Sequence, residues 1–261
     1  MSEELKLICN HRQDETNLSP VSKIEIYSFF DPFDEDCFKL SAILSKLRVE
    51  YKQYIRIRHI LNPSLRILTK CQAQSSSESD NIALAYKAAE LQGRARAERF
   101  IHLMQNEIIS KRDIITETMI ETSAKNAGMD YDVFKEDLKS GKLTESLKVD
   151  LHIAREMEVE QAPSLVFFNE DVTEEGLKVE GLYPYHIYTY IINELMGTPI
   201  EKELPPKLET YIQEQQFVTL EELLTIYEWP EKLLLKELKK LVLQQKIEKL
   251  SNPDGEFWKA K

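Results

Sequence analysis

The chain has 261 residues, 42% hydrophobic and 30% charged, enough for one large domain or a medium domain plus a small one. Only 7 glycines occur, well under half the usual share of ~7%, which favours helices over a turn-rich β protein. Subtracting 45 acidic from 34 basic side chains leaves −11, which argues against a general polyanion binder. Cys9, Cys37 and Cys71 cannot form an even disulfide framework, so a reducing, cytosolic compartment is expected. The polar N-terminus lacks an apolar leader segment, and no apolar run reaches the ~18 residues a membrane span needs.

Residues 1–22 show no periodicity and read as an arm. KIEIYSFF, from Lys23, alternates and then turns fully apolar, the pattern of a strand buried on both faces. Asp31-Pro32-Phe33-Asp34 breaks it, and Phe38, Ala42, Leu44 and Leu47 then recur near a helical period. Tyr51–Ile60 alternates again as a second strand, with Tyr54, Ile55, Ile57 and Ile60 in it, completing a βαβ unit with a parallel sheet. From about 62 to 158 strand signals stop. A Ser-rich loop, 74–80, precedes a strongly helix-forming run with Gly93 as its one kink. Thr116 opens a further helix, which Asn126-Ala127-Gly128 closes. Asp130 caps the next, which stops at Gly141, and Lys142–Met157 is helical once more.

Ala162-Pro163-Ser164 then leads into the apolar strand LVFFN, followed by a short strand at Leu177-Lys178-Val179 and a helix from Pro184 to Met196 that Gly197 ends. Pro199, Pro205 and Pro206 mark a linker at 199–206. Residues 207–261 read helix, helix, helix, hairpin: Lys207–Gln216, a capping box from Thr219 to Glu222, Pro230 opening the third helix, and two strands around SNPDG. That is the outline of a winged helix.

The order strand, helix, strand, helical insertion, proline-led strand, strand, helix resembles the DsbA-type thioredoxin fold over residues 23–198. FFDPFDEDC stands where thioredoxin relatives carry C-x-x-C, and QAPSLVFF matches the loop whose proline is cis in that family. The resemblance makes Pro163, after Ala162, that proline. Disulfide exchange needs an exposed low-pKa thiolate at the helix start and a second thiol to resolve the mixed disulfide. Here Asp34 holds the attacking position and only the resolving position, Cys37, remains. Neighbouring carboxylates suit a helix N-terminus but disfavour a thiolate. Asp31 and Asp34 read as capping residues rather than as an acid–base pair.

ALAYKAAELQGR (83–94), HIAREMEVEQAPSLVFF (152–168), EEGLKVEGLYPY (174–185) and GEFWK (255–259) resemble the Spx-adaptor family of Gram-positive bacteria, above all its staphylococcal members. The resemblance implies a degenerate DsbA-like domain and a winged-helix-like domain that together bind the thiol-stress regulator Spx. They present its C-terminus to the ClpXP protease in unstressed cells, without cofactor, catalytic residue, nucleic acid or membrane. Thioredoxin folds meet partners around the former active site, which nominates Phe33, Phe38, Ala162 and Leu182. Some members carry a zinc-binding His/Cys-rich N-terminal segment. Cys9 and His11 are too few for a closed four-ligand site, so no metal is expected.

Two other classes compete. A monothiol oxidoreductase would act through Cys37, whereas the resolving position is usually a buried, inert thiol. A DNA-binding winged helix would use the basic stretch that includes Lys236, Lys239 and Lys240. Residues 207–261, however, carry 9 Lys, no Arg and 10 acidic residues, and Arg is the usual reader of guanine. The histidines at 11, 59, 102, 152 and 186 share no ligand spacing, and Cys71 reads as an ordinary loop residue.

Overall fold

The computed structural model describes residues 24–63, 82–111, 115–169, 175–198, 200–252 and 255–261. The arm, Cys71, the Ser-rich loop, Pro199 and the tip of the C-terminal turn lie outside them. Strand β1 (Ile24–Phe30) is the apolar run, and it sits inside a four-stranded sheet of order β2-β1-β3-β4. β2 (Ile55–Leu61) runs parallel to it, with Ile24 opposite Ile55 and Phe30 opposite Leu61. β3 (Ser164–Phe168) lies antiparallel on its other side, and β4 (Leu177–Glu180) is antiparallel to β3.

Alternation along β1 sends side chains to two cores, as a strand buried on both faces must. Ile24 and Ile26 pack with Leu40, Leu44 and Leu47 of α1 (Glu35–Glu50) and with Tyr188 and Ile192 of α7 (Tyr185–Met196). Tyr27 and Phe29 point the other way, onto Ile153 and Ala154 of α6 (Lys142–Glu156).

The second strand starts later than its alternation suggests. Tyr51 N–H still donates to the Leu47 carbonyl at 2.9 Å and Tyr54 N–H to the Tyr51 carbonyl at 2.8 Å, so residues 51–54 form the turn that ends α1. Tyr54 therefore precedes the strand, and its carbonyl accepts the Ile24 N–H at 3.0 Å.

Among the described residues, five helices stand between β2 and β3: α2 (Ile82–Leu91), α3 (Arg94–Lys111), α4 (Glu117–Asn126), α5 (Tyr131–Leu138) and α6. Gly93, at φ +114°, does not kink a continuous helix but separates two. Thr116 and Asp130 cap α4 and α5 through their side chains, as expected. Four buried alanines in α2 (Ala83, Ala85, Ala88, Ala89) let its neighbours approach closely, over a core that includes Phe100, Phe134, Met104 and Ile120. Lys87 is also buried there, paired with Glu90 at 2.6 Å and with Asp150 of α6.

The C-terminal unit comprises α8 (Leu208–Gln215), β5 (Phe217–Thr219), α9 (Leu220–Tyr227), α10 (Glu231–Leu243), β6 (Ile247–Asn252) and β7 (Gly255–Ala260). The capping box at Thr219 and Glu222 is present. β5 is an addition to the expected helices and hairpin. Its three residues pair antiparallel with β7 and make a sheet of order β5-β7-β6, the element order of a winged helix. Three residues carry too little alternation to announce a strand.

Candidate functional site: the former thiol pole and its surroundings

Strand β1 ends at the turn that positions the site. Asp31 Oδ1 accepts the Phe33 N–H at 2.9 Å, and Asp34 Oδ1 accepts the Cys37 N–H at 2.9 Å as the N-cap of α1. Asp34 thus satisfies one of the free donors of the helix end. Cys37 is 5% exposed, and its Sγ accepts the Asp31 N–H at 3.3 Å. Burial, reinforced by the negative charges of Asp34 and Asp31, holds the thiol far above its ordinary range, and the single N–H does not offset this. Disulfide exchange proceeds through a thiolate, the form that this environment disfavours.

The Ala162–Pro163 peptide bond is cis, and the Pro163 carbonyl accepts the Gly181 N–H at 2.7 Å, tying this loop to the end of β4. Phe33 and Ala162 are half-buried and pack against the same core group as Cys37. Phe38 is half-buried on the first turn of α1. Leu182 packs instead against the core group of α1 and α7, so it does not join Phe33 and Ala162 over Cys37.

Behind Cys37 lies a small, partly open cleft. Its polar lining comes from residues that spacing did not single out. Arg48 of α1 grips Glu98 of α3 in a two-pronged pair at 2.9 and 3.2 Å, and His59 of β2 stands 3.3 Å from Arg48 and 3.4 Å from Glu98. Burial would raise the Glu98 carboxyl, but Arg48 and His59 outweigh it and hold it at about 2. Burial, with Arg48 alongside, pushes His59 down to about 4 against the pull of Glu98, and burial lowers His102 as well. The network joins elements far apart in sequence, so no local motif announces it. Among the described residues no group of three or more His, Cys, Asp or Glu side chains is placed to hold a metal ion.

A second polar cluster closes the other end of α1. Lys46 and Glu50, one turn apart and buried, meet Glu228 after α9, Lys202 and Tyr185. Lys202 sits 3.1 Å from Glu50, and the Glu203 N–H donates to the Glu50 carbonyl at 2.8 Å. The proline-bearing segment is thereby fixed to α1 rather than spanning open solvent.

The four-stranded sheet, its helical insertion and the cis-proline loop agree with the fold of the known proteins this chain matches. Residues 27–190 match a family model of thioredoxin. The ClpXP adapter protein SpxH of Staphylococcus aureus is 80% identical over 261 residues, covering 100% of this chain and 97% of that relative. The chain belongs to the SpxH family. Among solved structures, the α-DsbA1 protein of Wolbachia pipientis has a TM-score of 0.53 at 15% identity, covering 68% of this chain and 88% of its own. The thiol-disulfide exchange protein α-DsbA2 of the same organism has a TM-score of 0.52 at 16% identity, with coverages of 69% and 85%. At such identities they establish the DsbA-like fold and nothing about activity. This SpxH-family chain keeps the thioredoxin turn and cis-proline loop, while its one described cysteine, Cys37, is buried and unpaired.

Proposed function

We propose that this SpxH-family chain is a ClpXP adaptor that binds the regulator Spx and promotes its degradation by exposing the Spx C-terminus to the protease in unstressed cells. The observation that carries this reading is the 80% identity to the ClpXP adapter protein SpxH across the full length of the sequence. The former thiol pole supports the non-enzymatic part. With Asp34 spent on the cap and Cys37 neutral and enclosed, the effect on Spx arises from binding. A binder shifts the population of an exposed C-terminus only by its differential affinity for the two Spx states.

The docking surface proposed for Spx is centred on Phe33, Phe38 and Ala162 beside the cis-proline loop, with Leu182 at its flank. The described residues contain no helix long and apolar enough to cross a membrane, and the reading places the protein with ClpXP in the cytoplasm, without cofactor, metal or nucleic acid. Purified Spx and ClpXP, with and without this chain and with its three cysteines changed to serine, test the reading. Faster Spx loss with both forms is the expected result. Acceleration by the unmodified chain alone would restore a thiol mechanism through Cys9, Cys37 or Cys71. No acceleration by either form would overturn the adaptor reading and leave a monothiol oxidoreductase acting through Cys37 to be assayed.

A further inference from the structure

Helix α10 is held to the body by one side only. Leu234 and Leu238 are buried in the C-terminal core, with Leu241 packed beside them. At 100° per residue, Lys232, Lys236, Lys239 and Leu243 fall within about 60° of one another on the opposite side, as a stripe roughly 16 Å long. All four are exposed, and Leu243 is 74% accessible. None of the three lysines makes an ion pair among the described residues, whereas their neighbour Lys240 pairs with Glu237 at 2.6 Å and Lys246 with Glu209 at 2.7 Å. An unpaired row of three cations on a chain of net charge −11 is a local reversal of the molecule's own sign.

We infer that this stripe docks an acidic helical segment of a partner protein, with carboxylates on successive turns facing Lys232, Lys236 and Lys239 and an apolar side chain covering Leu243. Charge complementarity selects this occupant. The cations are spaced one turn apart, the repeat that a helix presenting glutamates along one side would match. The exposed leucine at the end of the row gives the contact a short-range apolar anchor that fixes register. Nucleic acid fits less well, because the unit carries no arginine and 10 acidic residues surround its 9 lysines, so a long polyanion is repelled beyond the stripe. A lipid surface fits less well too, since the apolar side of α10 is spent on the core and Leu233 and Leu243 are its only well-exposed leucines. The stripe lies on an element other than those that form the thioredoxin pole, and its test is independent of Spx turnover.

The test uses the full-length chain and a labelled synthetic helical peptide with three glutamates one turn apart and a leucine on the next turn, followed by fluorescence anisotropy. A peptide with glutamine for glutamate serves as control. The glutamate peptide should bind, weaken as salt rises, and lose at least about tenfold in affinity against Lys232→Glu/Lys236→Glu/Lys239→Glu. A Lys→Gln triple variant should lie between the two, and circular dichroism should show all three forms equally helical because the changed side chains are exposed. No binding, or equal binding by the charge-reversed chain, would overturn the inference. So would stripe-dependent binding of duplex DNA or phosphatidylserine vesicles tighter than that of the peptide. Self-association abolished by the charge reversal would do the same, by making a second copy the occupant.

Discussion

Two residues behind the old active turn are both held neutral by burial, through pKa shifts of opposite direction. Cys37 is shielded and held as a neutral thiol, and nucleophilic alkylation proceeds through the thiolate. Maleimide at neutral pH is therefore expected to leave Cys37 unmodified in the folded protein and to label it within minutes in denaturant, as peptide mapping by mass spectrometry would show. Rapid native labelling at Cys37 would contradict the closed site. His59 is kept neutral by its surroundings, with a folded value of about 4 against about 6.5 when unfolded. Between those limits the unfolded chain binds the extra proton. The contribution of His59 is thus complete above pH ~6.5 and lost as pH falls toward 4, on the order of 3 kcal/mol. Glu98, held at about 2, acts in the same direction at lower pH, where stability falls as its carboxylate is protonated. Urea midpoints measured from pH 7 to 4 should fall in the wild type, and His59→Gln should flatten that slope whatever it does to the midpoint at pH 7.

Helix α1 carries more of the fold than its sequence announces. Its outer face is packed closely against α9, and Val49 packs into the C-terminal core. Lys46 and Glu50 are buried because α1 is covered on both sides. Lys46→Ala would remove the cation shared by Glu50 and Glu228, whose ammonium also lies 4.5 Å over the Tyr185 ring, at a cost of about 2–4 kcal/mol. Glu228→Gln breaks the same pair from its exposed side and should cost under ~1 kcal/mol. Equal urea midpoints for the two variants would show that burial of Lys46 is not what matters. The same helix explains how far the sequence could be read. Asp34, Thr116, Asp130 and Thr219 were legible as caps because each bonds an amide two or three residues away. The thiol turn and the cis Pro163 were legible only through the family resemblance that two short motifs carry. Arg48–Glu98–His59 and Lys46–Glu50–Glu228 were not, since charged side chains at helical spacing look solvent-facing until a second element from 50 to 182 residues away covers them. β5 escaped notice for a different reason: its existence depends on β7, forty residues on, and not on its own pattern.

At the scale of the whole molecule, the two sheets belong to units that share their cores. Phe217 of β5 and Phe257 of β7 stack on each other at 5.1 Å between ring centroids and are buried in the core group of the helical insertion. Arg99 of α3 reaches the Gln215 carbonyl at the end of α8, and Tyr227 donates to the Pro206 carbonyl at 2.9 Å. A joint made of buried aromatics, two closely packed helices and an ionic cluster around the buried Lys46 and Glu50 is unlike the small polar interfaces across which domains move freely. Neither unit can then lose structure without exposing apolar surface on the other. Calorimetry of the intact chain should show one transition whose calorimetric and van't Hoff enthalpies agree. Removing residues 207–261 should lower the midpoint of the remainder by well over about 5 °C, because the α9-facing side of α1 and the insertion core around Phe217 and Phe257 would meet water. Two resolved transitions, or a truncated chain that melts with the intact one, would mean that the units are independent. In the single-body case the thioredoxin pole and the α10 stripe are held at a fixed separation, so a partner that engages both has a geometry to satisfy, and loosening the Lys46 seam would weaken such binding without touching either surface.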